Sequence, residues 1–152
     1  MTTQYDFTSQ DWQHVAMTPV LVGWAVARAE ESGFYGSIKE ARTLVSTIAA
    51  GADGNPASSL IAQAAATDTD AETSAFRSTA PDALAGAAEN ACRELVTVLA
   101  ATAEPDEAKG YTEWVVGIAR TVAEAAKEDG VRVSAGEANL IERLEAALAA
   151  PQ

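Results

Sequence analysis

The chain has 152 residues, a length that suits one domain able to bury a core without metal or disulfide staples. A single cysteine, Cys92, excludes an internal disulfide, and with only 6% aromatic residues in a 48% hydrophobic, alanine-rich chain, the few Trp, Leu, Ile and Val side chains must define the core. Ten Lys and Arg face 22 Asp and Glu, a net charge of -12 that repels phosphate backbones, disfavours direct nucleic-acid binding and suits a basic partner.

Residues 1–7 read as a loosely held lead-in, with Tyr5 and Phe7 as anchors. Thr8 followed by Asp11 has the pattern of a helix start, a hydroxyl cap with an acid three residues on. A short helix through Trp12 and Val15 is then expected to break or kink at Pro19, which has no N–H to donate. Thr18 and Pro19 would restart a second segment over about 19–32, ending at Gly33. From Val15 to Ala27 only Thr18 has a polar side chain, so no helix face there suits water. The run is too short for the about 20 residues of a membrane span, so it reads as a buried central helix.

After the GFYG turn, Ser37 and Glu40 form a capping box, and Ile38, Ala41, Leu44, Val45 and Ile48 recur at helical spacing. Asn55-Pro56 reads as the cap and first turn of a short helix through Leu60 and Ile61 to about Ala66. Residues 67–80 are the most polar stretch and read as a loop. From Pro81 a long helix carries a heptad-like seam of Leu84, Ala88, Ala91, Leu95, Val98 and Thr102, until Glu104-Pro105 closes it and opens another. That helix turns Trp114 and Ile118 inward and Glu113 and Arg120 to water, running to about Glu128. Ser134 and Glu137 make a second capping box before a last amphipathic helix with Leu140, Ile141, Leu144, Ala147 and Leu148. The expectation is an all-α, single-domain bundle of five to six helices over 1–152, around the apolar central helix.

PVLVGWAVARA, a glycine turn and SIKEA are echoed by EWVVGIARTVAEA, a glycine turn and SAGEA. Such a repeat would set two hairpins about a pseudo-twofold axis, with Gly23 and Gly117 at equivalent close crossings. ADGN after the second helix and AAKEDGVRVSAGEANLIERL near the end resemble the A-x-A-D-G-x-x-S-x-x-E pattern of TerB-like tellurite-resistance helical modules. Ser58, Ser59 and Leu60 stand where the first copy would carry its acid, and VRV is inserted before Ser134. The resemblance implies an all-helical fold with acidic metal ligation at Asp53, Asp129 and Glu137. FTSQDW and KEDGVRVSAGE are also similar to segments of small bacterial all-helical proteins, a likeness that carries no function.

His14 is the sole histidine, and Asp11-x-x-His14 sets carboxylate and imidazole on one helix face; a di-iron site would need a second histidine. Cys92, within ENACRELV, reads as a packed thiol. Asp68, Asp70 and Glu72 start like a calcium loop, but Thr73 and Thr79 occupy its glycine and closing-glutamate positions. Gly33, Gly36 and Lys39 follow no strand, so they make no nucleotide loop. The aromatics are core residues first, except the glycine-flanked pair Phe34 and Tyr35, which reads as a docking knob. Trp12, His14 and Tyr111 complete the candidate binding set.

The function expected is a non-enzymatic interaction protein, acting through a protein partner or self-association, without cofactor and without membrane contact. The alternatives are an acidic decoy or immunity-type neutraliser of a basic partner, and an enzyme or carboxylate metal protein with a pocket near His14. The amino terminus lacks a basic segment followed by a long apolar one, so the expected location is the cytoplasm.

Overall fold

A computed structural model describes residues 2–28, 54–67, 75, 79–128 and 135–149, with the side chains at 27, 28, 81, 122–128 and 135–137 outside that set. The described elements are helices: α1 (Ser9–Arg28), α2 (Ser58–Ala66), α3 (Pro81–Thr102), α4 (Pro105–Glu128) and α5 (Ala135–Ala149), preceded by a 3-10 turn at Gln4–Asp6. The helix expected over 37–50, its GFYG turn, the 134–137 box and most of the 67–80 loop lie outside the described residues. So does the first hairpin's second arm, on which the pseudo-twofold repeat depends.

Thr8 caps α1 as its sequence suggests. The Asp11 N–H donates to Thr8 Oγ1 at 3.0 Å, and the Trp12 N–H to the Thr8 carbonyl at 2.8 Å. The break expected at Pro19 does not occur, because α1 continues through it as one helix. Proline leaves the carbonyl four residues back, that of Val15, without its helical donor. The Tyr111 hydroxyl, from α4, donates to that carbonyl at 2.8 Å. One turn away the Thr18 hydroxyl donates to the His14 carbonyl at 2.7 Å. Tyr111 is completely buried, and burial raises its phenol well above the ordinary range, so the donor proton stays in place. From Thr18 to Val26 every residue of α1 is buried, so the dry central segment begins before Pro19.

α1 packs chiefly on α3 and α4, and α5 packs on the other sides of the same two helices. Contact across the diagonals, α1 with α5 and α3 with α4, is slight. Four helices therefore surround a square, and α2 lies against α1 and α4. Tyr111 meets Val15 and Ile118 meets Gly23, so α1 and α4 run parallel. Only Ala103 and Glu104 join α3 to α4, which are antiparallel partners across a diagonal. The Ala103 N–H closes α3 on the Leu99 carbonyl, and the Ala108 N–H opens α4 on that of Glu104.

Several local readings need correction. Val98 and Thr102 are only partly buried, while Cys92 and Leu99 are completely so, because a straight helix follows 3.6 rather than 3.5 residues per turn. Asn55 is not the cap of α2. Its Oδ1 accepts from the Ala57 N–H at 2.8 Å and its Nδ2 donates to the Gly110 carbonyl at 3.1 Å, so it clamps a turn onto α4. Residues 2–7 are not loose: the Thr2 N–H and hydroxyl both donate to the buried carboxylate of Glu107, and the Gln4 N–H to Gln63 Oε1. Phe7 is buried, 5.7 Å from the Trp12 ring, but Tyr5 is exposed and anchors nothing. Gly117 has open space where a methyl would lie, so it marks no close crossing, while a methyl at Gly23 would touch Ile118 at 3.6 Å.

α5 is stapled to α3 at Glu89, whose Oε2 accepts from Arg143 Nε at 3.0 Å while its other oxygen accepts from Arg93 on its own helix. The Arg143 hydrogen bond leads in holding the Glu89 carboxyl below its ordinary value of 4.5, against a smaller opposing effect of desolvation.

Two predictions follow from these contacts. Tyr111→Phe leaves the buried Val15 carbonyl without a donor and lowers stability by about 1–3 kcal/mol in urea denaturation. In a Pro19→Ala background the restored N–H serves that carbonyl, so the same change costs less. The Glu89 staple acts in full above pH 4.5 and is lost as pH falls through the lowered value. The melting temperature therefore falls more steeply with acidification in the native chain than in Glu89→Gln.

Candidate functional site

The residues expected to form a binding set do not form one. Trp12 is buried, and its indole N–H donates to Thr67 Oγ1 at 3.2 Å. Tyr111 stands edge-on to Trp114 with ring centroids 5.1 Å apart, and its hydroxyl is engaged by α1. Both are core residues that join helices. His14 ties α1 to α3: its Nε2 lies 3.1 Å from the Ala91 carbonyl, and its Nδ1 lies 3.6 Å from Glu94 Oε2. A proton on Nε2 makes the first contact a hydrogen bond. Phe34, Tyr35, Asp53 and Asp129 lie outside the described residues, as does the side chain of Glu137. Among the described residues no three His, Cys, Asp or Glu side chains converge as metal ligands.

Cys92 is completely buried. Burial first, and the charge of Glu89 second, push its thiol up to about 12, which keeps it protonated and a poor nucleophile.

A concave feature lies elsewhere, on the face where α4 and α5 flank α3. It is an open groove of about 640 Å³. Val96 and Leu99 of α3, Val116 of α4 and Leu148 of α5 give it an apolar floor. Ala100, Ala108, Gly117 and Ala149 supply the room, since small side chains stand where three helices meet unequally. Along the rim are Lys109, Glu113, Arg120 and Glu145. Arg120 Nε donates to Glu145 Oε1 at 2.9 Å and spans the upper end. Lys109 and Glu113 have no charged partner within 4.0 Å among the described residues. Neither His14 nor Glu94 lines this groove.

Helical periodicity explains the placement. Tyr111, Val115 and Ile118 centre the buried side of α4, so Lys109, Glu113 and Arg120 fall on its outer side. The sequence shows the outer positions as water-facing, but the groove between them escapes it. The one available signal is the smallness of Ala100, Ala108 and Gly117, which equally suits close packing.

The glycines of α4 differ in kind, and substitution tests this. A Cβ at Gly110 would lie 2.2 Å from Asn55 Oδ1 and 3.3 Å from the Ala57 nitrogen, while one at Gly117 meets nothing. Asn55 cannot swing aside without losing both hydrogen bonds. Gly110→Ala is expected to destabilise by about 1–3 kcal/mol, and Gly117→Ala to stabilise by about 0.5–1 kcal/mol, measured by chemical denaturation.

Among the described residues no helix is long and apolar enough to cross a membrane. No protein-family model, curated protein or solved structure matches the chain.

Proposed function

We propose that this chain is a non-enzymatic interaction protein whose groove over α3, between α4 and α5, receives a protein partner. One observation carries the reading: a cleft of about 640 Å³ with an apolar floor, open along the outer side of α4. Ligand clefts span about 300–1,000 Å³, and an open apolar trough flanked by helices suits a partner helix laid lengthwise. Desolvating Val96, Leu99, Val116 and Leu148 would drive the association, while the charged rim sets orientation. The net charge of -12 argues against a phosphate backbone as occupant. The reading does not rest on Phe34 and Tyr35.

The test is an amide chemical-shift titration with an uncharged amphipathic Leu/Gln peptide of about 14 residues, or four helical turns. Shifts should gather at residues 96–100, 108–120 and 145–149, leaving Trp12 and His14 unmoved. Gly117→Phe, which fills the groove from a position with open space, should abolish them while the chain stays folded. Shifts scattered over the molecule, or untouched by Gly117→Phe, would overturn the proposal.

A further inference from the structure

Resting on that reading of the groove, we infer that its occupant is a cationic amphipathic helix of about three turns. Length comes first. The groove follows α4 from Ala108 to Arg120, which at about 1.5 Å per residue is roughly 18 Å. A partner helix of that length presents three successive apolar side chains to the floor.

Charge decides the rest. The lower end of the groove lies where α3 and α5 both finish, and neither carries a basic residue in its last turn. Two helix C-termini therefore direct their partial negative charge there with no basic residue of their own to offset it, and Lys109 of α4 is the cation lining that end. Glu104 and Asp106, at the adjoining start of α4, are exposed and add two carboxylates. On the rim, Arg120 is already taken by Glu145, which leaves Lys109 as the opposing cation and Glu113 as a further carboxylate. The chain as a whole carries -12, so a second copy would meet like charge over its whole approach. Lysines or arginines flanking an apolar stripe would meet the helix ends and Glu113, with the stripe on Val96, Val116 and Leu148.

The experiment compares three helical peptides of one pattern, Leu/Lys, Leu/Gln and Leu/Glu, on the full chain, by titration calorimetry with chemical-shift mapping. Leu/Lys should bind most tightly and weaken as salt rises, with Leu/Glu at least about tenfold weaker, and Gly117→Phe should remove binding of each. Equal affinity of Leu/Lys and Leu/Glu, both lost in Gly117→Phe, would leave the groove intact as a site and overturn its charge preference. Leu/Lys binding that survives Gly117→Phe would be diffuse attraction to an acidic surface, which overturns the inference. If no peptide reaches the groove, the reading beneath it falls as well. Concentration-dependent dimerisation broken by Gly117→Phe would make a second copy the occupant instead.

Discussion

A proline in the middle of a buried helix sets the terms for this fold. Pro19 takes away the donor that the Val15 carbonyl would use, at a depth where no water replaces it. An unsatisfied buried carbonyl costs about 1–3 kcal/mol, so the helix persists only where another donor is delivered. Tyr111 delivers it from α4, and that single hydrogen bond fixes two helices in parallel register. Two turns further on Ile118 faces Gly23, where an added methyl would lie 3.6 Å from it, so the register holds along the shared length. With Tyr111 and Ile118 committed to α1 and Val115 buried between them, the opposite side of α4 is committed to the surface by helical geometry alone.

What the sequence discloses is what local chemistry decides. An apolar run with no wet face has to be buried, and it is. Thr8 caps α1, Pro81 and Pro105 open α3 and α4, and Cys92 is a packed thiol, each from signals within a few residues. Three of the misreadings share one cause, a partner far along the chain. Continuity through Pro19 depends on a residue 96 positions beyond Val15, and the fastening of Thr2 depends on Glu107, 105 positions away. Asn55 before proline suits a helix cap or a turn equally, and the Gly110 carbonyl decides for the turn. The seam of α3 is buried at Leu84, Ala88, Ala91 and Leu95 and only partly at Val98 and Thr102 for a different reason: the straight-helix period takes Cys92 and Leu99 inward.

The candidate site was harder to read than the fold, because aromatic residues are poor discriminators between core and interface. Trp12 and Tyr111 each have a polar tip, and the tip is what draws attention at the sequence level. Both tips are used internally, on Thr67 and Val15, so the residues serve as cross-links between elements. His14 does the same between α1 and α3. A groove built from alanines and glycine, by contrast, announces itself only by what is missing. Small side chains bring two helices close where the contact is direct, but leave a trough where a third helix is held off.

Why the trough stays open follows from the fastenings on its far side. Filling it by translation would require α4 to move toward α5, away from α1 and α2. Tyr111 opposes that movement through the Val15 carbonyl, and Asn55 opposes it through the Gly110 carbonyl at the start of the same helix. Arg120 bridges the upper end, its Nε and a terminal nitrogen both donating to Glu145 Oε1. The short Ala103-Glu104 link ties α4 to α3, the groove's own floor, so α4 cannot slide along its axis either. An interior free to relax would collapse onto such a void to regain its dispersion contacts. Here collapse would break hydrogen bonds to buried carbonyls that have no replacement donor, so the trough stays open among the described residues.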